Sequence, residues 1–243
     1  MSGIRLVKLM NFCDRILSKI IRRNNNISIT EPTHNTKILM FHDISDNIET
    51  YTMSEKRFEF VIKKCLEEGY TFISLDELIS NKNSELGKIV VTFDDGFKSL
   101  YTTALPILEK YDIPFAVYIT TEFVDKEYYL SREEIKLLSC NNLCTIGSHL
   151  QHHVMTRTLD REHIKGEIRN SCSALSHCVG LEIKHVALPY GSITACSTMD
   201  CRIIKKLGVK SLALTTPRCV TAKDIKNPFF LPRLDACSNR VLG

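Results

Sequence analysis

From Lys37 onward, short apolar runs alternate with stretches whose apolar residues recur at helical spacing. The run KILMFH comes first. In SEKRFEFVIKKCLEEGY, Ser54 is placed to cap a helix, Phe58, Val61, Ile62, Cys65 and Leu66 share one face, and Gly69 stops it. TFISL then leads into the short helical piece DELISN. KIVVTF reads as a strongly buried strand, and FAVYIT as another after a helical stretch that ends at Tyr111. SREEIKLL carries Ser131 and Glu134 at capping-box spacing. CTIGSH and KHVALPYG are strands on either side of the helix DREHIKGEIRNSCSALSHCVG, which ends at Gly180. STMDCRIIKKLG adds a helix and KSLALTT a strand. Continuous apolar strands separated by helices predict an α/β fold with a largely parallel sheet and helices outside it. About seven such strands suit a (β/α) barrel better than an open sheet, and either design brings functional groups to the C-terminal ends of the strands.

The first residues follow a different pattern. In 1–23, Arg5, Lys8, Asp14, Arg15 and Lys19 interrupt every apolar run, so neither a signal peptide nor a transmembrane span is expected. At helical pitch Arg5, Lys8, Arg15, Lys19 and Arg22 gather on one side, and Leu6, Leu9, Met10, Cys13, Ile16, Leu17 and Ile20 on the other. Two readings fit this amphipathic basic helix equally: packing on the domain or a partner, and peripheral contact of residues 4–23 with an anionic membrane surface. Residues 24–36 are polar and read as a linker, leaving 37–243 as the main domain.

Composition narrows the class only a little. Hydrophobic residues at 44% and charged residues at 25% are ordinary for a soluble globular chain. A net charge of +4 whose clearest local excess lies in the first helix gives no nucleic-acid stripe, so no nucleic-acid partner is expected. The ten cysteines form no C-x-x-C pair and read as free thiols of a reduced, cytoplasmic protein, at the inner face of the membrane if the helix binds lipid. Nothing in the sequence sets an oligomeric state.

The candidate chemistry stands at the ends of the predicted strands. His42 closes the first, Asp94 and Asp95 follow KIVVTF, His149 closes CTIGSH with His152 and His153 just beyond, Tyr190 and Gly191 follow KHVALP, and Arg233 lies in FFLPRLDA. One Asp with two His at H-x-x-x-H spacing makes a first shell for a catalytic divalent metal such as zinc, with a position left open. The second Asp is then free to act as a base, and the cation offsets the repulsion between the pair. Gly96 lets the backbone turn after them. Alone, D-D-G and H-x-x-x-H are weak signals, since turns favour Asp and Gly and paired surface histidines are common. His152 competes with His153 as ligand, and helical i, i+4 geometry favours His153. A non-haem iron oxygenase shares this ligand set but is usually all-β. A glycosidase needs carboxylates farther apart than sequence neighbours.

VVTFDDGF, IGSHLQHHVMT, HVALPYGS and FFLPRLDA resemble, in this order, the motifs of the polysaccharide deacetylases (carbohydrate esterase family four), and the likeness covers roughly residues 37–236. The resemblance implies a distorted (β/α) barrel. It implies Asp94 as general base, with Asp95, His149 and His153 holding a divalent metal (zinc first, with cobalt, nickel or manganese as alternatives). A backbone N–H near Tyr190 would serve the oxyanion hole. The reaction implied is hydrolysis of an N-acetyl, less often O-acetyl, group on an amino sugar. The substrate would be a polysaccharide, an oligosaccharide, or a lipid- or nucleotide-linked precursor of a surface glycan.

The sequence also departs from the family. Many members place Arg where Ala187 stands, and a late Leu-x-x-His that is missing after Tyr190. In a branch related to exopolysaccharide deacetylases the first-strand His is the general acid, so His42 is expected in that role and Arg233 as the group that orients the base. Leu150 and Val154 replace the usual Ser or Thr and Pro, while His34, His163, His177 and His185 read as surface or packing residues. The two missing groups keep a second reading open, an inactive deacetylase-like binding or scaffold module at the membrane surface.

Overall fold

The structure is a computed structural model and describes residues 35–47, 51–80, 87–192 and 194–236. The expected N-terminal helix over 1–23 lies outside them, as does nearly all of the 24–36 linker.

Among the described residues, seven parallel strands run in one continuous order through a curled sheet, which a short eighth strand joins at its side. The seven are β1 (Lys37–Phe41), β5 (Lys88–Phe93), β6 (Phe115–Ile119), β7 (Cys144–Ser148), β8 (His185–Ala187), β9 (Ser211–Ala213) and β10 (Leu234–Asp235), in the order β10-β1-β5-β6-β7-β8-β9. The short β4 (Thr71–Phe72) flanks the start of β5, and β2 (Asp43–Ile44) pairs with β3 (Thr52–Met53) beyond the end of β1. The last segment reaches both edges of the curl: Leu231 bridges to Ala213 in β9, and Leu234 pairs with Leu39 in β1. This is the expected distorted barrel.

Between the strands run α1 (Glu55–Glu67), α2 (Leu75–Ser80), α3 (Leu105–Lys110), α4 (Arg132–Ser139), α5 (Arg161–Val179), α6 (Thr198–Lys205) and α7 (Ala222–Lys226). The sequence places their starts well because side chains cap them. Ser54 accepts from Arg57 N, Asp160 accepts from His163 N, and Ser131/Glu134 and Ser197/Asp200 close capping boxes.

Strand periodicity sorts the core into two sides. Leu39, Phe41, Val91, Phe93, Phe115, Val117 and Ile119 pack with helix residues such as Phe58, Ile62 and Ile135. Ile38, Val90, Ala116, Tyr118, Ala187 and Ala213 share the inner cluster with Leu231. Gly147 belongs to this inner row, and it must be small. A Cβ there would lie 2.6 Å from Tyr118 Cδ1.

Candidate active site

Asp94 continues the inner parity of Val90 and Thr92, just past the end of β5, and its N–H donates to Phe41 O at 2.9 Å. Arg233, delivered by the closing segment, meets it with both arms of the fork: Nη1 to Oδ1 at 2.6 Å and Nη2 to Oδ2 at 2.7 Å. Nη1 also reaches Thr92 Oγ1 (3.2 Å), Nε donates to Leu214 O (3.1 Å), and the guanidinium lies 5.3 Å from the centre of the Tyr118 ring. Both partners are nearly inaccessible to water, at 2% and 1% exposure. Burial pushes the Asp94 carboxyl up, but the Arg233 charge, helped by His149, outweighs it and leaves the pKa below the usual carboxylate value. Asp94 is therefore ionised and held at both oxygens.

On a regular strand Asp95 would point away from Asp94. Its backbone is left-handed instead (φ 70°), followed by Gly96 at φ 82°, and this turn brings Asp95 to the mouth of the same site. Gly96 is also tightly placed, since a Cβ there would come 3.3 Å from Ile119 Cγ2. Asp95 Oδ1 faces His149 Nε2 at 3.5 Å and His153 Nε2 at 3.2 Å, yet it makes no well-formed hydrogen bond among the described residues. One ligand atom from each of these three residues lies within 4.8 Å of the others.

The donor set fits a divalent cation. His149 follows β7, and its Nδ1–H donates to Ala187 O at 2.9 Å, so the lone pair of Nε2 points into the site. Burial holds the His149 pKa down at about 4 although Asp94 and Asp95 oppose it, so the imidazole is neutral at neutral pH, as a metal ligand must be. Burial lowers the His153 pKa as well, but there the facing charge of Asp95 outweighs it and the pKa is raised. A buried carboxylate oxygen with no hydrogen bond, facing two imidazole nitrogens, is the arrangement a cation completes.

The histidine spacing works for a different reason than expected. Residues 149–153 form a bend and not a helix, with Leu150 left-handed at φ 70°, so the helical i, i+4 argument is overturned. What selects His153 is the turn itself, which sends His152 outward to Glu167 (Nδ1···Oε1, 2.7 Å) and His153 inward.

His42 follows β1 and lines, with Asp95, a cleft of about 800 Å³ whose walls include Tyr51, Tyr128 and Tyr129. Its Nδ1 is buried without a hydrogen-bond partner among the described residues, and its ring lies 5.0 Å from Tyr51. Tyr190 is left-handed (φ 63°), its carbonyl accepts from Thr215 Oγ1 at 2.8 Å, and its ring lies 4.8 Å from His153. Direct contacts thus link Asp94, Asp95, His149, His153, Tyr190 and Arg233, and His42 shares a cleft wall with Asp95. His185 is buried away from them, between Ser211 (2.8 Å) and Asp76 (3.3 Å), as a packing residue.

The sequence reading missed Thr92 and Tyr118 around Arg233, Glu167 beneath the histidine turn, and the Ala187 carbonyl. Inner-row parity on β5 and β6 could have pointed to the first two. A backbone carbonyl leaves no trace in the identity of its residue.

The polysaccharide deacetylase family model matches residues 81–212, just over half the chain. Poly-beta-1,6-N-acetyl-D-glucosamine N-deacetylases of Staphylococcus aureus are 26% identical over 212 residues, covering 81% of this chain and 71% of theirs. YxkH of Bacillus subtilis is 24% identical over 166 residues, 67% of this chain but only 59% of its own length. Two solved structures share the fold. IcaB from Ammonifex degensii has a TM-score of 0.73 at 20% identity, with 83% of this chain and 91% of that one covered. The Streptococcus pyogenes deacetylase PplD in complex with acetate has a TM-score of 0.74 at 22% identity, covering 84% and 93%. With the family model, the ordered motifs and the barrel in agreement, this chain belongs to the polysaccharide deacetylase family.

Proposed function

We propose that the protein is a metal-dependent hydrolase that removes an N-acetyl group from an amino sugar in a glycan. The observation that carries this reading is the convergence of Asp95, His149 and His153 beside an Asp94 held ionised by Arg233. The Staphylococcus aureus relatives make a β-1,6-linked N-acetylglucosamine polymer the first substrate to test. O-acetyl esters are the second class.

A divalent cation held by Asp95, His149 and His153, zinc first, would supply Lewis acidity at the amide carbonyl and acidify water. Asp94 takes the proton of the attacking water. Each of its oxygens keeps lone-pair capacity beyond the bond from Arg233. The turn at Tyr190 offers backbone N–H to the oxygen that gains charge. His42, on the cleft wall, gives a proton to the amine nitrogen as the C–N bond breaks, and acetate and the free amine leave.

The Arg233–Asp94 fork counts against the inactive binding module, because it fills the contact that Ala187 cannot make. The sequence expectation of a cytoplasmic protein held at the inner membrane face through residues 4–23 belongs to the same proposal. In that location a lipid- or nucleotide-linked acetamido sugar would replace the polymer as substrate, and cell fractionation tests it.

The decisive experiment is acetate release from a panel of N-acetylated polymers, oligosaccharides and sugar precursors, using metal-loaded, chelated and Asp94→Asn protein. Release that needs metal and falls on the order of 10²–10⁴-fold in the variant supports the hydrolase. Release that survives chelation, or a chain that takes up no divalent metal, overturns it.

A further inference from the structure

Side chains outside the ligand set hold the N–H groups of the bend that carries His153: Ser148 Oγ accepts from Leu150 (3.1 Å), Glu122 Oε1 from His153 (3.4 Å), and Glu167 from the two residues between. Glu167, on the inward side of α5, accepts from the backbone N–H of Gln151 (3.1 Å) and of His152 (2.8 Å) through Oε2. Its Oε1 meets His152 Nδ1 at 2.7 Å. The Glu167 side chain is only 12% exposed, so these bonds are largely shielded from water.

The bend needs such a support. Leu150 sits at φ 70°, where a γ-branched side chain is disfavoured, and such conformations persist only where the surroundings over-determine them. Above the bend, Thr121 N–H donates to Leu150 O (3.2 Å) and Glu122 N–H to Gln151 O (3.0 Å). These two bonds engage the carbonyls of the bend. Glu167, on α5, engages the N–H groups of Gln151 and His152, the last two before His153. The backbone is clamped between the segment after β6 and α5, and the inward direction of His153 follows.

We propose that Glu167 is a positioning residue for the metal centre: by accepting the N–H groups of Gln151 and His152 it fixes the turn that aims His153 at Asp95. The inference rests on the metal-site reading given above. His152, although its ring contacts Glu167, has a minor part, since its side chain is half exposed and the two backbone bonds form without it.

The test is a competition titration of zinc against a chromophoric chelator, with the absorption spectrum of the cobalt-loaded protein as a second readout. It uses the full chain as wild type, Glu167→Ala, Glu167→Gln and His152→Ala. Wild type is expected to bind one ion. Glu167→Ala should bind about 10–100-fold more weakly, the range for outer-shell partners of metal ligands, and its cobalt bands should move as the His153 ligand is lost. Glu167→Gln keeps an amide oxygen as acceptor and should recover most of the affinity, and His152→Ala should stay within about twofold of wild type. Equal affinity and an unchanged cobalt spectrum in wild type and Glu167→Ala overturn the role of Glu167 while leaving the metal site intact. If Glu167→Ala does not fold, Glu167→Asp, too short to reach both N–H groups, replaces it: weaker zinc binding with shifted cobalt bands upholds the clamp, and wild-type affinity and bands overturn it. Absence of metal from the wild type itself overturns the functional reading and this inference together.

Discussion

Arg233 and Asp94, 139 positions apart in the chain, meet as a two-pronged ion pair at 2.6 and 2.7 Å with almost no access to water. The pair joins the closing segment of the barrel to the strand that carries the proposed base, so it bears on stability and, in the proposed mechanism, on reaction. Arg233→Met removes the cation and leaves a buried carboxylate unpaired. That change is expected to destabilise the fold by about 3–5 kcal/mol. Arg233→Lys keeps the charge but not the fork, and should fall between. Urea unfolding of the three proteins checks the order. A Met variant as stable as wild type would show that the pair is not closed in solution.

As the proposed proton donor, His42 should separate substrates by leaving group. An amide nitrogen must be protonated to leave, whereas an activated aryl ester releases a stable anion. His42→Ala is therefore expected to slow release from an N-acetyl sugar by on the order of 10²–10⁴-fold and to leave 4-nitrophenyl acetate hydrolysis nearly unchanged. Parallel rate measurements on the two substrates decide it. Equal losses on both would assign His42 a role other than proton donor.

Gly147 bears on the site through Tyr118. A methyl group at Gly147 would press on the Tyr118 ring at 2.6 Å, and that ring underlies the Arg233 guanidinium. Gly147→Ala should lose about 1–3 kcal/mol through overpacking and lower the rate by disturbing the Arg233–Asp94 pair of the proposed base. Gly166→Ala is the control, since no atom lies within 4 Å of a Cβ built there. Thermal unfolding of both variants tests the contrast.

Acid stability has a measurable contribution away from the site. Asp224 in α7 is gripped by Arg218 Nη1 and Nη2, both at 2.7 Å. Burial pushes its carboxyl up, but Arg218 and Thr221 outweigh that and hold its pKa below the ordinary 3.8. A carboxyl with a lowered folded pKa stabilises the fold fully above its unfolded value, and this contribution disappears as pH falls through the folded one. Arg218 is partly open to water, so the ion pair is worth about 1 kcal/mol or less. Asp224→Asn should thus melt about 2–4 °C lower than wild type at pH 7. The two curves should converge as the pH is taken below 3.8. A gap that persists in acid would trace the loss to the cap and not to the charge.

Much of this protein was legible along the chain. Apolar runs and capping residues marked the strands and the helix starts, because burial period and cap chemistry are local properties. The order of the motifs likewise placed Asp94, Asp95, His149 and His153 at strand ends. The short β2, β3 and β10 were not visible, since two-residue strands carry no period and exist only through their neighbours.

Sequence by itself determined the alternation, the parallel barrel and the residue types of the site. Tertiary structure alone decided how neighbours of opposite strand parity could share one site. The answer is a left-handed Asp95 that turns its carboxylate back toward Asp94, and a bend, not a helix, that parts His152 from His153. It also decided that Arg233 restrains Asp94 and that the Ala187 carbonyl orients His149. These outcomes depend on backbone dihedrals and through-space contacts over more than a hundred residues. A local pattern of side chains cannot encode them, because the energy that holds each in place belongs to partners elsewhere in the chain.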